Sequence, residues 1–140
     1  MAPPTLSSIT IGAPTSGTLS ITSDLGSDYT DTITIGTINV VSDDTANSPE
    51  ALAAFKARYP SAVITWSATV GTTSTGTTAP SDSNVAITDV NTTSAPEITV
   101  DKHDSGNLEW TAGDTITLTL TVSFGGTNEV TQTFVITIGA

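Results

Sequence analysis

The chain has 140 residues, and fourteen Asp and Glu against three Lys and Arg give it a formal net charge of −11. A surface of this sign repels phosphate backbones and anionic lipid, which argues against nucleic-acid and membrane partners. The chain has no cysteine, which excludes disulfides, thiolate metal sites and cysteine nucleophiles. Its length predicts one domain over residues 1–140, with residues 1–5 as an extended N-terminal arm.

The first two predicted strands are short runs in which apolar and hydroxyl residues alternate, residues 6–11 and 18–22. The connector between them contains Gly12, Pro14 and Gly17, a composition typical of a turn. The chain therefore opens with two strands joined by a short turn.

The third run, residues 32–41, changes its alternation at Gly36. Ile33 and Ile35 share one parity, whereas Ile38 and Val40 share the other. Because a slip of one residue turns a strand's apolar side chains to the opposite face, we expect a bulge or bend at Gly36 and Thr37. Such a bend would direct both apolar pairs to the core.

Residues 49–59 form the one predicted helix. Ser48 is a suitable N-cap, Pro49 fits the first helical position and Pro60 ends the helix. Lys56 and Arg58 lie near its negative end. Its apolar face is expected to pack on the protein's own core, the alternative being a partner-binding helix: Leu52, Phe55 and Tyr59.

The middle of the chain predicts short strands separated by polar connectors. Residues 63–70 form the fourth run, with Trp66 on its apolar parity, and residues 71–83 form a loop rich in Thr, Gly and Ser. Further short strands are predicted at residues 84–88, 97–101 and 108–110, with a polar turn over 101–107 between the last two.

The clearest pattern lies at the end of the chain. Over residues 115–124 every second residue is apolar and the residues between are hydroxyls, and the alternation resumes over 130–138 after a Gly-Gly connector. This predicts a long β-hairpin whose apolar face needs a second layer. With eight or nine short strands in all, the chain is predicted to be an all-β antiparallel sandwich with one inserted helix.

Candidate chemical sites are few, and an enzyme is not predicted. His103 lies between Asp101 and Asp104 in sequence, but neighbours in one turn do not adopt the geometry of a catalytic triad. Calcium is the one candidate cation, since it prefers carboxylate and carbonyl oxygens. The Ca²⁺ candidates are Asp24, Asp28, Asp31, Asp43 and Asp44, with turn formation as the alternative role. No cofactor is otherwise expected.

Aromatic residues give little support for a sugar-binding site. Trp66, Phe124 and Phe134 fall on parities that predict burial, which leaves Tyr29 and Trp110 as the candidates for exposed stacking rings. The alternative for Trp110 is that it closes one end of the sandwich.

Ile64-Thr65-Trp66, followed by Gly113-Asp114-Thr115 through Val122 and by Thr131 through Ile138, resembles the second half of a bacterial or phage immunoglobulin-like domain. In that group a central strand carries a core Trp, and a Gly-Asp-Thr start leads into the last two strands. The resemblance implies an immunoglobulin-like antiparallel sandwich. It also implies a non-catalytic module of a bacterial surface protein or of a phage particle.

The expected function is that of a virion structural protein, a phage capsid decoration or accessory protein made in the host cytoplasm. The alternatives are a phage tail component and an extracellular, surface-protein or adhesin module that binds glycan or protein. The expected partners are other virion proteins, chiefly the major capsid protein, and copies of the chain itself as a homo-oligomer or lattice. The interface candidates are uncharged: Ala2, Pro3, Pro4, Thr5, Leu6, Thr72, Thr73, Thr75, Thr117, Thr119, Thr121, Thr131 and Thr133.

Overall fold

The computed structural model describes residues 2–20, 29–72, 79–88, 94–103 and 110–139. This part of the chain is mainly β, with one short α-helix, α1 (Leu52–Arg58), and a 3-10 turn, Asp82–Asn84. The ten strands are β1 (Leu6–Ile11), β2 (Gly17–Ser20), β3 (Tyr29–Thr34), β4 (Ile38–Ser42), β5 (Glu50–Ala51), β6 (Val63–Gly71), β7 (Val85–Ile87), β8 (Glu97–His103), β9 (Thr115–Ser123) and β10 (Glu129–Gly139).

The strands form three sheets. The hairpin sheet has the order β2-β10-β9-β6, the N-terminal sheet the order β1-β4-β5, and the middle sheet the order β3-β8-β7. All pairs are antiparallel except β2 with β10, which is parallel. A single buried cluster of Ile, Leu, Val and aromatic side chains draws from every sheet and from α1.

The predicted C-terminal hairpin is confirmed. β9 and β10 pair in register from Thr115 with Thr137 to Ser123 with Glu129. Gly125 and Gly126 in the turn both have positive φ, +98° and +59°, a conformation that favours glycine. Every second residue of β9, from Ile116 to Val122, is fully buried, as the alternation predicts.

The bend at Gly36 is present, but the prediction of one strand over residues 32–41 is wrong. β3 belongs to the middle sheet and β4 to the N-terminal sheet, so the chain changes sheets between Thr34 and Ile38. The bend brings Ile35, Ile38 and Val40 into the core, while Ile33 is partly buried. Because the apolar residues change parity at Gly36, the two halves can join different sheets and still direct their apolar side chains to the core.

Gly36 is required because two backbone segments pass very close to each other at this point. Gly12 N donates to Thr37 O at 2.9 Å, and Gly36 N donates to Pro14 O at 3.3 Å. A β-carbon at Gly36 would overlap the carbonyl group of Gly12. The absence of a side chain therefore permits the close approach of the β3–β4 connection to the segment that follows β1.

The predicted helix start is wrong. Glu50 and Ala51 form β5 and pair with Val40 and Asn39 of β4, so α1 begins only at Leu52. Ser48 does not cap the helix, and its Oγ accepts a hydrogen bond from Ser42 N at 2.9 Å. The predicted apolar face is confirmed, because the side chains of Leu52, Phe55 and Tyr59 are buried in the chain's own core.

The predicted polar turn over residues 101–107 is also wrong at its start. β8 continues to His103, which pairs with Tyr29 of β3, and residues 104–109 lie outside the described part. Trp110, predicted as a candidate exposed ring, is partly buried against the core, and its Nε1 donates to Asp101 O at 2.8 Å. Trp110 is therefore not a fully exposed ring.

Candidate interaction surface

The outer face of the hairpin sheet is a ladder of hydroxyl side chains. On β9 the residues between the buried ones are Thr115, Thr117, Thr119, Thr121 and Ser123, and all are half-buried. They are not fully exposed because β9 lies between β6 and β10, whose side chains flank it on both sides. We call this face the threonine face, and its further members are Val63, Thr65, Ser67, Thr69, Gly71, Glu129, Thr131, Thr133, Val135 and Thr137.

The strand register places the hydroxyls in rows across the sheet. Thr121 lies between Thr65 and Thr131, and the next row has Thr119 between Ser67 and Thr133. The flanking members of both rows are exposed. The predicted interface residues Thr117, Thr119, Thr121, Thr131 and Thr133 therefore share one surface.

The threonine face is almost free of charge. Its one carboxylate belongs to Glu129, in the last row beside Ser123 and Val63. Val63 and Val135 add exposed apolar area, with 56% and 36% of their surface accessible. In a chain of net charge −11, a face of hydroxyl and methyl groups offers a partner little electrostatic opposition.

The N-terminal arm is largely held by the chain itself. Asn128, in the turn before β10, donates from Nδ2 to Pro4 O at 2.9 Å and accepts from Leu6 N through Oδ1, also at 2.9 Å. Pro4 and Leu6 are buried, whereas Ala2, Pro3 and Thr5 are exposed. Of the five predicted arm contacts, the buried two serve the chain's own core.

The carboxylates of Asp43 and Asp44 hold the N-terminal arm and the segment after β4 in place. Asp43 Oδ1 accepts from Thr5 N at 2.8 Å, and Asp43 N donates to Thr5 O at 3.0 Å. Asp44 accepts from the Tyr59 hydroxyl at 2.6 Å and from Asn47 Nδ2 at 3.0 and 3.2 Å. These carboxylates act as structural acceptors that fix the path of the chain.

The Asp44–Tyr59 hydrogen bond shifts both groups. It lowers the pKa of Asp44 below its ordinary value of 3.8, with a further contribution from Asn47. The same bond raises the pKa of Tyr59 to about 12, because losing the phenolic proton would place a second negative charge beside the carboxylate. The Tyr59 ring also packs on Phe55 and Phe124, at 5.0 and 6.0 Å between ring centroids.

The predicted calcium ligands are not brought together in the described part of the chain. Within it, no three His, Asp or Glu side chains form a group able to hold a metal ion. Asp31 Oδ1 accepts from Thr32 N at 2.9 Å, whereas Asp24 and Asp28 lie outside the described residues.

The predicted loop contacts are described only at Thr72. Its Oγ1 donates to Asp114 Oδ2 at 2.9 Å, and the same carboxylate oxygen accepts from Thr111 N at 2.8 Å. Thr73 and Thr75 lie outside the described residues. Asp114 is one of the few buried polar residues, and its role here is to tie the end of β6 to the start of β9.

The sequence did not predict the hydrogen bonds of Asn128 to the N-terminal arm or the hydrogen bond between Asp44 and Tyr59. Each contact joins residues that are well separated in the chain, and no local sequence pattern predicts either contact. Nor did the sequence predict that the indole Nε1 of Trp66 is buried and has no hydrogen-bond partner among the described residues. An unpaired buried donor is uncommon and costs about 1–3 kcal/mol.

Comparison of the chain with protein-family models, curated proteins and solved structures found no match. None of the helices in the described ranges has the length and apolarity needed to span a bilayer.

Proposed function

We propose that the chain is a non-enzymatic structural protein of a virus particle, a capsid decoration or accessory protein that coats or cements the shell. The observation that carries this proposal is the threonine face, a broad and nearly uncharged surface on a strongly acidic protein. Such a surface suits a protein whose function is contact with the capsid protein and with copies of itself.

The proposed scaffold is an immunoglobulin-like sandwich with the hairpin sheet as one layer and the other two sheets as the second. β3 and β4 are separated by only three residues and belong to different sheets, which supports placing those two sheets next to each other. The N-terminal strands support the two layers as well, since β1 pairs in the N-terminal sheet and β2 in the hairpin sheet. The single buried apolar cluster supports two layers that share one core.

Charge favours the threonine face as the contact. Two acidic proteins that meet through carboxylate-bearing surfaces lose several kcal/mol to like-charge opposition, whereas hydroxyl and methyl groups impose no such cost. The face interior, over the rows of Thr117, Thr119 and Thr121, contains no charged residue. A partner surface of any sign can therefore approach it.

Size favours many weak contacts over one strong contact. Three strands spaced about 4.8 Å apart, with about 3.3 Å per residue along each, give the face roughly 430 Å². A stable pairwise interface buries about 800 Å² per partner. A contact of half that size binds weakly alone, and a symmetric shell compensates by engaging many copies at once.

The test is a double substitution in the centre of the face. Thr119 and Thr133 lie directly opposite each other on β9 and β10, so Thr119→Lys with Thr133→Lys places two like charges side by side. We expect the fraction of protein that co-sediments with particles to fall at least about tenfold, provided that circular dichroism shows a folded protein.

The matched control makes the same charge change elsewhere. Thr10 on β1 and Thr34 on β3 are exposed strand residues outside the threonine face, so Thr10→Lys with Thr34→Lys should bind as the wild type does. Unchanged binding of the Thr119/Thr133 variant would reject the threonine face as the docking surface. Equal loss in both variants would point to net charge instead.

A further inference from the structure

β6 is an unusual edge strand. It lies at the end of the hairpin sheet and has nine residues, while β2 at the opposite edge has four. Edge strands are normally protected by short length, charged side chains, proline or bulges, since their free main-chain groups pair with other strands. β6 has none of these: its sequence, VITWSATVG, contains no charge and no proline, and its register with β9 is unbroken.

The free main-chain groups of β6 can be assigned from one hydrogen bond. Val70 N donates to Asp82 Oδ1 at 2.8 Å, so this amide points away from β9. Main-chain groups in an antiparallel strand alternate in direction, so the N–H and C=O of Ile64, Trp66 and Ala68 also point outward. Among the described residues, no hydrogen bond satisfies these outward groups, and the Asp82 carboxylate protects only the Val70 end.

Trp66 lies at the centre of this open stretch. Its side chain is half-buried against the core, and so is that of Ala68. A further strand along the edge would carry its own side chains over the same face and cover the remaining exposed part of both. Among the described residues, this edge is therefore apolar on one face and unpaired along the backbone of residues 64–68.

We propose that β6 pairs with β6 of a second copy of this chain in antiparallel orientation, with Trp66 opposite Trp66 of the second copy. A two-fold axis through this position pairs Ile64 with Ala68 of the other copy, and the reverse, which forms roughly six main-chain hydrogen bonds. The two hairpin sheets then become one continuous eight-stranded sheet.

A second copy is the occupant that fits this edge, because the outward main-chain groups of Ile64, Trp66 and Ala68 lie symmetrically about Trp66 and can pair with their own two-fold image. Two chains of net charge −11 repel each other, and a two-fold contact brings identical surfaces together. Residues 63–71 contain no carboxylate, so the copies meet along β6 with no like charges opposed. This inference extends the proposed function by naming the strand through which copies join, and it is tested on the purified protein without particles.

The first experiment measures the molar mass by sedimentation equilibrium over a concentration series reaching the millimolar range, since a small interface associates weakly. We expect a reversible dimer. Ala68→Pro removes an outward N–H in each copy and leaves the bonds to β9 intact, so it should weaken the dimer at least about tenfold. A wild type that stays monomeric throughout, or a folded Ala68→Pro variant that dimerises equally well, would overturn the pairing.

The second experiment tests the register and does not depend on the proline variant. In the proposed dimer Thr65 faces Ser67 of the other copy as a non-hydrogen-bonded pair, with Cα atoms about 4.5 Å apart, which suits a disulfide. The natural chain has no cysteine, so Thr65→Cys with Ser67→Cys introduces the only thiols. Mild oxidation should give a covalent dimer on a non-reducing gel.

The matched control is Thr131→Cys with Thr133→Cys, which has the same spacing on the same face but on the interior strand β10. It should remain monomeric if the copies meet at their edges. Covalent dimer from the control pair alone would mean that copies meet face to face and would overturn the proposal. Failure of both cysteine pairs to cross-link would also overturn the proposal. Neither of these two results would test whether the protein binds to particles.

Discussion

Replacing Gly36 with alanine should be among the most damaging small substitutions in this chain. Gly36 lies where the segment between β3 and β4 passes close to the turn after β1, and a β-carbon there would overlap Gly12 O and lie 2.9 Å from Ala13 C. Because these neighbours are main-chain atoms, no side chain can rotate away to relieve the overlap. The two backbone segments would have to move apart.

The cost can be estimated from the contacts that would separate. The bonds from Gly12 N to Thr37 O and from Gly36 N to Pro14 O contribute about 0.5–1.5 kcal/mol each. Displacement would also disturb the buried side chains of Ile35 and Ile38. We expect Gly36→Ala to lower the free energy of unfolding by about 2–4 kcal/mol, a large part of the about 5–15 kcal/mol typical of a domain.

Urea denaturation followed by circular dichroism measures this effect, read from the transition midpoint at constant slope. Gly12→Ala is the matched control on the neighbouring segment, where a β-carbon would lie an ordinary 3.5 Å from Thr37 O. It should change stability by no more than about 0.5 kcal/mol. The account is refuted if Gly36→Ala is as stable as wild type, or if the two variants lose stability equally.

Two further substitutions test the contacts that hold the N-terminal arm and the segment after β4. Asn128→Ala removes both hydrogen bonds to the arm, so we expect about 1–2 kcal/mol of lost stability and faster amide exchange at Thr5 and Leu6, whereas Thr127→Ala in the same turn should change neither. Tyr59→Phe removes the bond to Asp44. The stability that it loses should be constant between about pH 4 and pH 10. The difference should shrink as the pH falls through the lowered pKa of the carboxyl, and again as it rises from 10.0 towards about 12, where the tyrosine ionises. A stability difference that persists unchanged at both extremes would contradict the assigned hydrogen bond.

Strands with long alternation were predictable because the pattern itself fixes which side chains are buried. β9 shows this best, since its alternating residues from Ile116 to Val122 all reach the core. The parity change at Gly36 likewise predicted a bend. It could not show that the two halves join different sheets, because that depends on partners distant in sequence.

The helix start illustrates how tertiary pairing overrides local signals. Ser48 and Pro49 are favourable at a helix N-terminus, yet the next two residues pair with β4 and delay the helix to Leu52. β8 was predicted too short for a similar reason. Its last residues are polar and show no alternation, and their strand conformation comes from pairing with β3.

The candidate surface was predictable in part. The hydroxyl parity of β9 and β10 follows directly from the sequence, and the register places those hydroxyls in common rows with β6. The arm was harder to anticipate, because its burial depends on Asn128, more than one hundred residues away. The open edge of β6 could not be predicted at all, since a strand's place in a sheet is set by the topology.

The most direct test of the proposed function is the amount of this protein in purified virus particles. Particles should be purified on a density gradient from cells that produce the protein, and its ratio to the major capsid protein measured by quantitative mass spectrometry. We predict a fixed ratio set by the symmetry of the shell and unchanged by further purification. Absence of the protein from the particles, or a ratio that falls with each purification step, would contradict a structural role in the virion.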